Sequence, residues 1–329
     1  MKRPVAIAAL VLLLVSLGVY LTNASWLARP SGRASILAHR GVSQTFSEAG
    51  VDDATCTATR IDPPTHRLLE NTIPSMRRAF ELGAAVVELD IQPTTDGEFV
   101  VFHDWTLDCR TDGHGVTREH SLAQLRALDI GYGYTADAGR THPFRGQGRG
   151  QMPTLAEALA AFPSQGFLIN VKSNDPVEGE RLAVYLATHD PDGLKRLVVI
   201  GGPRPVARLK AGLSRVRAFS PEQFKVCAKR YVALGWSGYI PEACRNILIF
   251  APQRQAWLLW GWPNRFLARM HSVGSEVYVA GDLKLDGHQT ILGLNDPARL
   301  RDLPQAWKGG VSTDRIDLIG PAFAPRPAH

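Results

Sequence analysis

The sequence predicts an α/β protein organised as a (β/α)8 TIM barrel with loop insertions and an N-terminal apolar helix. Short β-rich runs recur along the 329 residues, and most are followed by turn residues and a longer stretch with helical character. This alternation is typical of parallel strands joined by helical crossovers. The first run lacks the Gly-rich nucleotide loop that usually follows the first strand of an open doubly wound sheet, so a barrel is favoured.

Eight runs are predicted strands, and several of them end in polar residues. In chain order they are Ser35–His39, Val86–Ile91, Phe99–His103, Phe167–Val171, Leu197–Ile200, Val216–Phe219, Val277–Ala280 and Gly310–Ser312. Amphipathic stretches between them predict helices at Thr72–Leu82, Thr154–Ala161, Val177–Thr188 and Pro263–Val273. The link Pro93–Glu98 is too short for a helix, so this barrel is expected to lack one between its second and third strands.

The domain organisation follows from these elements. Residues 35–320 are expected to form the barrel, after a membrane anchor or signal peptide at 1–24 and a linker at 25–34, with a tail at 321–329. Two stretches, Gly41–Leu69 and Asp104–Met152, are predicted insertions. Both begin at strand ends, where the loops of barrels carry function.

The N-terminus predicts the compartment. Lys2 and Arg3 precede an apolar or small stretch from Val5 to Thr22, which is close to the roughly 20 residues that cross a bilayer as a helix. An uncleaved single-pass anchor is favoured over a cleaved signal, which would give a secreted protein, because the apolar region of a signal peptide is usually about 7 to 15 residues long. The basic residues are expected to stay in the cytoplasm, which places the catalytic domain in the periplasm or outside the cell.

The cysteines agree with this placement, and the charge argues against a nucleic-acid partner. The formal charge of +6 comes from scattered Lys and Arg, so no nucleic-acid-binding stripe is expected. The four cysteines lack the CxxC spacing of zinc sites. Of the three possible pairings we expect Cys56–Cys109 and Cys227–Cys244, which join neighbouring segments; free buried thiols are the alternative.

Two carboxylates on the second predicted strand indicate a metal site. Glu88 and Asp90 are two residues apart, so they project to the same side of the strand. Two neighbouring carboxylates in an apolar strand are costly unless a positive group lies between them. Mg²⁺ or Ca²⁺ would supply that charge because these ions take oxygen ligands, and Asn170 could add an amide oxygen. A salt bridge to Arg or Lys is the alternative explanation.

Histidines and cations at adjacent strand ends indicate phosphodiester chemistry. His39 and His103 end the first and third predicted strands, and Arg40 and Lys172 follow the first and fourth. Cations neutralise phosphoryl oxygens, while one imidazole removes a proton from the attacking hydroxyl and the other protonates the leaving alkoxide. A single histidine at a strand end is more often structural, but two beside an acidic pair favour catalysis.

Four segments resemble the ordered signature of the glycerophosphodiester phosphodiesterase family. They are Ala38–Gly41, Glu70–Thr72, Val87–Gln92 and Phe102–Asp104. The resemblance spans about Ile36 to Asp317. It implies a phospholipase C-like type of TIM barrel with a short link between its second and third strands, and hydrolysis of glycerophosphodiesters to glycerol 3-phosphate and an alcohol.

The resemblance also implies roles for single residues. His39 and His103 correspond to the acid and base pair, and Arg40 and Lys172 to the cations that hold the phosphate. The implied partners are a small glycerophosphodiester or lysophospholipid substrate and, through the N-terminal segment, a membrane.

The implied cofactor is a divalent metal, Ca²⁺ or Mg²⁺. Glu88 and Asp90 resemble its ligands, and Glu70 is expected either in the metal shell or orienting Arg40. Many family members have Glu where Asn170 stands, so this site is expected to carry one negative charge fewer.

Two alternatives to this function remain at the level of sequence. One is a lysophospholipase D-like hydrolase of one-chain lipids that uses the same residues, and the other is a non-catalytic barrel that binds an anion. A separate aromatic cluster, Tyr239, Trp257, Trp260 and Trp262, is expected to pack in the core as an inserted hairpin, with lipid contact as the alternative.

Overall fold

Eight parallel strands form the centre of the molecule in the computed structural model, which describes residues 2–47, 49–51, 55–283, 292–304 and 307–323. They follow the order β6-β5-β4-β2-β1-β9-β8-β7 and curl into a TIM-like barrel, and the short β3 pairs with β2 alone. The strands are β1 (Ser35–His39), β2 (Val86–Pro93), β3 (Phe99–Val101), β4 (Gly166–Val171), β5 (Leu197–Gly201), β6 (Arg217–Phe219), β7 (Leu248–Pro252), β8 (Glu276–Ala280) and β9 (Gly310–Thr313). The predicted fold class is confirmed.

Helices cover the outside of this sheet. They are α1 (Lys2–Asn23), α2 (Ile73–Glu81), α3 (Leu122–Arg126), α4 (Leu155–Ala161), α5 (Pro176–His189), α6 (Pro203–Gly212), α7 (Pro221–Leu234), α8 (Asn264–Ser272) and α9 (Ile316–Phe323). Several begin where an N-cap side chain accepts a backbone N–H, as Thr72 does before α2 and Thr154 before α4. All four predicted helices are present within one residue of their expected bounds. Of the predicted tail at 321–329, residues 324–329 lie outside the described part of the chain.

One predicted barrel strand was wrong and another was missed. Phe99–His103 was expected in the barrel, but only Phe99–Val101 is a strand, and it pairs with β2 in the antiparallel sense. The turn between them is closed by a hydrogen bond from Thr94 N to Glu98 O at 2.9 Å, and parallel pairing requires a much longer crossover. The eighth parallel strand is Leu248–Pro252, which lies where the sequence had been interpreted as an inserted hairpin.

The two predicted insertions pack on each other beside β3. Apolar side chains from both insertions and from β3 and its end form a second buried cluster, which consists of Ala58, Ile61, Leu69, Val100, Phe102, Leu107, Leu125, Ile130, Tyr134, Phe144 and Met152. The Cys56–Cys109 disulfide joins the first insertion to the second. These loops therefore form a small folded unit at the end of the barrel where β2 finishes and β3 begins.

The ends of the ladder, β6 and β7, are held together by side chains. Within the described residues no backbone pairing joins these two strands. The Cys227–Cys244 disulfide links α7 to the turn that precedes β7, and Arg217 on β6 forms an ion pair of 2.6 Å with Glu276 on β8. Both expected disulfides are thus present in the structure.

The aromatic cluster between α7 and α8 packs only in part. Trp262 contacts Phe266 and Trp307, with ring centroids 5.9 and 5.5 Å away. In contrast, Trp257 is 75% exposed, and Tyr239 and Trp260 are also exposed. The expected core packing was wrong for these three residues: Tyr239 lies in the turn between α7 and β7, Trp257 and Trp260 lie between β7 and α8, and all three are exposed there.

Candidate active site

The predicted site residues meet at one rim of the barrel. His39 ends β1, Glu88 and Asp90 lie on β2, and Asn170 lies on β4. In the parallel register His39 is paired with Glu88 and Asp90 with Asn170, so the side chains come from adjacent strands at the same height. This is the carboxyl-terminal rim, where the active sites of TIM barrels are found.

The turn after β1 has an unusual backbone. Arg40 has φ 57° and its N–H donates to Glu88 O at 3.0 Å, which continues the pairing of β1 with β2 one residue beyond His39. The next residue, Gly41, has φ 78°, and a Cβ there would lie 2.3 Å from Ser75 Oγ. A non-glycine residue in the left-handed region is a local strain that is typically found at functional sites, and here it turns the Arg40 side chain towards the carboxylates.

Asp90 is the fully buried centre of the site. Its Oδ1 lies 3.1 Å from Asn170 Nδ2 and 3.4 Å from Lys172 Nζ, and its Oδ2 accepts from Asn71 Nδ2 at 3.0 Å and lies 3.3 Å from Arg40 Nε. Burial by itself would raise the pKa of Asp90, but Lys172 and the other neighbouring positive groups hold that pKa well below its usual range. Asp90 is therefore ionised and positions two cations.

Glu88 has a different environment on the same strand. Burial and the adjacent charge of Asp90 raise the pKa of Glu88 to about 7. Its Oε2 is buried without a hydrogen-bond partner and lies 3.8 Å from His39 Nε2. One oxygen of this carboxylate is thus buried without a hydrogen bond, and the His39 imidazole lies close to it.

His39 is oriented by the last strand of the barrel. Its Nδ1 lies 2.7 Å from Asp314 Oδ1, and the other oxygen of Asp314 accepts from Asn295 Nδ2 at 2.9 Å. Enclosure and the nearby Arg40 lower the pKa of His39, but Glu88 and Asp314 outweigh them and raise that pKa above 6.5. The Nε2 atom is left to face the site.

His103 is oriented in the same way and has the opposite pKa shift. Its Nδ1 lies 2.7 Å from Asp104 Oδ1, and Arg110 Nε donates to the other oxygen of Asp104 at 2.9 Å. Burial and the positive charge of Arg40 lower the pKa of His103 to about 4, in spite of Asp90 and Asp104. His103 is therefore neutral near pH 7.

Glu70 links the two arginines. Its Oε1 accepts from Arg40 Nη1 and its Oε2 from Arg110 Nη1, both at 3.0 Å. Burial would raise the pKa of Glu70, but Arg110 and Arg40 lower it. Arg110 also donates to Tyr134 OH and Thr57 Oγ1, so the network extends into the insertions. Of the two roles expected for Glu70, these contacts support orienting Arg40.

The structure brings all eight predicted site residues to this rim: His39, Arg40, Glu70, Glu88, Asp90, His103, Asn170 and Lys172. Sequence reasoning did not assign a role to four further residues that touch them. They are Asn71, Asp104, Arg110 and Asp314. Three of these lie in the quoted motifs or at the last strand end and were available from the sequence, whereas Arg110 lies inside an insertion and had no local signal.

The fit of the site to a metal ion rests on few donors. Among the described residues, no three His, Cys, Asp or Glu side chains are grouped so as to hold a metal. Glu88 and Asp90 with the amide of Asn170 are the nearest to such a set, because the unpartnered Glu88 Oε2 is buried beside the ionised Asp90. Two carboxylates and one amide oxygen fit a hard divalent cation, with less negative charge than three carboxylates provide.

Solved structures share this fold. A glycerophosphodiester phosphodiesterase from Agrobacterium tumefaciens superposes with a TM-score of 0.57 at 21% identity, covering 88% of this chain and 99% of that one. A phosphodiesterase from Oleispira antarctica, determined with the product sn-glycerol-3-phosphate, gives 0.56 at 20% identity and covers 88% and 97%. Identities this low show the fold alone.

Sequence relatives identify the family. A glycerophosphodiester phosphodiesterase of Caldanaerobacter subterraneus is 38% identical over 103 residues, and one of Bacillus subtilis is 34% identical over 126 residues. These matches cover 31% and 36% of this chain and 39% and 42% of the relatives, so the similarity spans less than half of either protein. The model of the glycerophosphoryl diester phosphodiesterase family matches residues 39–233, which is more than half of the chain. The chain therefore belongs to the glycerophosphoryl diester phosphodiesterase family.

Proposed function

We propose that this protein hydrolyses glycerophosphodiesters to glycerol 3-phosphate and an alcohol. The observation that carries the proposal is a pair of imidazoles at one rim, each held at 2.7 Å through Nδ1 by a carboxylate and each leaving Nε2 for a substrate. Arg40 and Lys172 lie beside the pair, and family membership and the names of the relatives point to the same reaction.

The two histidines have different roles in this proposal. His103, whose pKa is about 4, is the base that removes the proton from the attacking hydroxyl. His39, whose pKa is raised, retains a proton and gives it to the departing alkoxide. With water as the source of the attacking hydroxyl, the P–O bond to water forms and the P–O bond to the alcohol breaks, and the proton taken by His103 balances the proton given by His39.

The cations bind the phosphoryl group. Arg40 is fixed by Glu70 and Asp90, and Lys172 lies 3.4 Å from Asp90 Oδ1, so both charges are in place before substrate binds. Prearranged charges of this kind stabilise the additional negative charge of a phosphoryl transition state.

The proposed cofactor is a divalent metal, Ca²⁺ or Mg²⁺. Glu88, Asp90 and Asn170 would hold it, and the unpartnered oxygen of Glu88 supports this set. When bound, the metal would neutralise phosphoryl oxygens as a Lewis acid. It would also remove the like-charge repulsion that raises the pKa of Glu88.

The test is product release by the full chain in detergent, with glycerophosphocholine or glycerophosphoethanolamine and added Ca²⁺ or Mg²⁺. We expect glycerol 3-phosphate, and we expect His39→Gln or His103→Gln to lower kcat about 100-fold or more. His114→Gln is the matched control, since His114 forms a similar pair with Asp108 on the surface. If no glycerol 3-phosphate is released with either metal, the proposed activity is contradicted. Binding of inorganic phosphate by that inactive sample would then favour the non-catalytic alternative.

We further propose that α1 anchors the protein in a membrane and remains attached, with the barrel outside the cytoplasm. The span Pro4–Asn23 has a mean hydropathy of 2.6 and is not buried against the barrel. Two disulfides favour an oxidising compartment. The mass of the protein isolated from membranes tests the proposal: we expect residues 1–24 to be present, and a mature N-terminus near Ser25 would make the segment a cleaved signal.

A further inference from the structure

The point where α1 joins the barrel is a built joint. The buried Arg269 of α8 donates through Nη2 to Thr22 O at 3.0 Å and through Nη1 to Asn23 Oδ1 at 3.0 Å. Asn23 in turn donates from Nδ2 to Trp236 O at 2.7 Å, and Ser25 Oγ accepts from the first N–H of α8 at 2.9 Å. The last turn of α1 is thus fixed to α8 and to the turn that follows α7.

The buried charge of Arg269 depends in part on this joint. Its other acceptors are Tyr231 OH and the carbonyl oxygens of Gly235 and Trp260, and none of the acceptors named for it is a carboxylate. The charge is stabilised by neutral oxygens and by its position at the carboxyl end of α1, where the helix dipole favours a cation. Without the end of α1, Arg269 would lose two further acceptors, Thr22 O and Asn23 Oδ1.

Exposed aromatic side chains surround this joint. We define the collar as Trp26, Trp236, Tyr239 and Trp260, all of which are exposed. Trp26 follows Asn23 by three residues, and Trp236 is bonded to Asn23. Tyr239 follows Gly238, which lies against the end of α1, since a Cβ added at Gly238 would be 3.2 Å from Thr22 Cγ2. The carbonyl oxygen of Trp260 accepts a hydrogen bond from Arg269.

We infer that the collar binds the outer surface of the bilayer that α1 crosses, and that it holds the barrel against that surface. The inference rests on the proposed anchoring. A helix of 20 apolar residues is about 30 Å long, which matches the hydrocarbon core, so Asn23 at its end lies at the polar interface. Because the joint fixes the collar to Asn23, the collar must lie at the same depth.

The chemistry of the collar matches that position. Trp and Tyr have an apolar ring and a polar group, and they are enriched where lipid headgroups meet the hydrocarbon core. Arg29, three residues after Trp26, and Lys229 and Arg230, on α7 before Trp236, are exposed as well, and such basic residues favour anionic lipid headgroups. A second chain could also cover an exposed apolar patch, but the fixed contact with the membrane-spanning helix favours lipid.

The experiment places a fluorophore on the full chain in vesicles of four parts phosphatidylcholine to one part phosphatidylglycerol. Tyr239→Cys carries the label in the collar, and Val184→Cys on α5 carries it at an exposed apolar position remote in the strand order. The four native cysteines are in disulfides and do not react. Trp26→Cys is the second collar position if the first variant does not fold.

We expect a nitroxide-bearing phospholipid to remove most of the emission at position 239 and little at 184, and aqueous iodide to do the reverse. If the chain resists alkaline carbonate but iodide quenches both labels equally, the collar inference is overturned while the anchoring stands. Protection of position 239 from both quenchers would also overturn it, because a second chain would then cover the collar. Release by carbonate would overturn the anchoring and the collar together.

Discussion

The two histidines of the site make the same contact and acquire different proton affinities. Each imidazole Nδ1 lies 2.7 Å from an aspartate, so the aspartate does not distinguish them. The distinction comes from the next neighbours: burial and Arg40 lower the pKa of both histidines, but Glu88, 3.8 Å from His39, outweighs them there together with Asp314, whereas Asp90 and Asp104 do not at His103. A pair of unlike pKa values is what acid and base roles at a single pH require.

Asp104 is expected to make folding stability dependent on pH. Burial would raise the pKa of Asp104, but Arg110 and His103 lower it below the 3.8 of the unfolded chain. Below about pH 4 the unfolded chain therefore binds more protons, so the stabilisation is present above that pH and decreases as the pH falls. Asp104→Asn should lower the free energy of unfolding by about 3 kcal/mol at pH 7 and flatten its acid dependence.

Denaturant unfolding between pH 3 and pH 7 measures this effect. Asp108→Asn is the control, because Asp108 pairs with His114 on the surface and such pairs contribute little. If both variants kept the acid slope of the wild type, the contact between Asp104 and Arg110 would not be the source of that slope.

Asn170 is expected to weaken metal binding. It lies beside Asp90 in the parallel register and supplies an amide where a carboxylate would add charge. Asn170→Glu should tighten binding of Ca²⁺ or Mg²⁺ about tenfold or more, because hard cations favour charged oxygen ligands. Calorimetric titration with the metal alone measures it, and Asn170→Gln, which keeps the amide, should not bind more tightly than the wild type. Equal affinity of the Glu and Gln variants would show that residue 170 does not face the metal.

The sequence indicated which residues meet at this rim because strand ends and side-chain alternation are local properties. His39, Glu88 and Asp90 could be placed from the strands alone. Arg110 could not, since it reaches Glu70 from 40 positions away through a loop whose path depends on the packing of two insertions. The pKa difference between the histidines was likewise inaccessible, because it depends on distances to Arg40 and Glu88.

At the scale of elements, the two disulfides connect different parts of the barrel. Cys56 precedes Thr57 and Cys109 precedes Arg110, and Arg110 Nη2 donates to Thr57 Oγ1 at 2.8 Å. This disulfide therefore lies directly beside the network that fixes Glu70 and Arg40. The Cys227–Cys244 disulfide instead holds α7 to the turn before β7, away from the site.

Removing each disulfide should separate stability from activity. Replacing Cys227 and Cys244 with Ala should lower the free energy of unfolding by about 3 kcal/mol. Replacing Cys56 and Cys109 with Ala should lower it by about 4 kcal/mol, because the loop that this disulfide closes is longer. Only the replacement of Cys56 and Cys109 should also reduce kcat at a temperature where both variants are folded, because it frees Arg110. Thermal unfolding and turnover of glycerophosphocholine, measured on both variants, serve as controls for each other; equal losses of kcat would contradict the argument.

The elements themselves were predictable where the connections were regular. Ser35–His39 was predicted to the residue, because an apolar run ending in polar residues has one natural boundary. β3 was given the wrong partner sense, since its apolar pattern does not depend on whether its neighbour is parallel or antiparallel. β7 was missed because Pro252 ends it and exposed aromatic residues follow closely, which resembles an inserted loop.

At the scale of the whole molecule, the part of the joint that follows α7 and the site lie at different levels of the barrel. α7 begins at Pro221, directly after the carboxyl end of β6, and its 14 residues extend about 21 Å towards the opposite rim. Trp236 and Tyr239 follow the far end of this helix. The part of the collar that they form is therefore turned away from the rim that carries His39 and His103.

This arrangement favours a water-soluble substrate over a lipid that stays in the membrane. For the full chain in vesicles, we expect glycerophosphocholine to be hydrolysed at the same rate as in detergent, because it reaches the rim from water. Lysophosphatidylcholine embedded in the same vesicles should be hydrolysed much more slowly than in mixed micelles, where it can approach from any side. Choline release from both substrates in both preparations measures the ratio, and Trp236→Ser with Tyr239→Ser should reduce the difference by loosening the collar. If the embedded lipid is hydrolysed as fast in vesicles as in micelles, the rim faces the bilayer, and the lysophospholipase D-like alternative gains the support that the geometry now gives to the soluble diester.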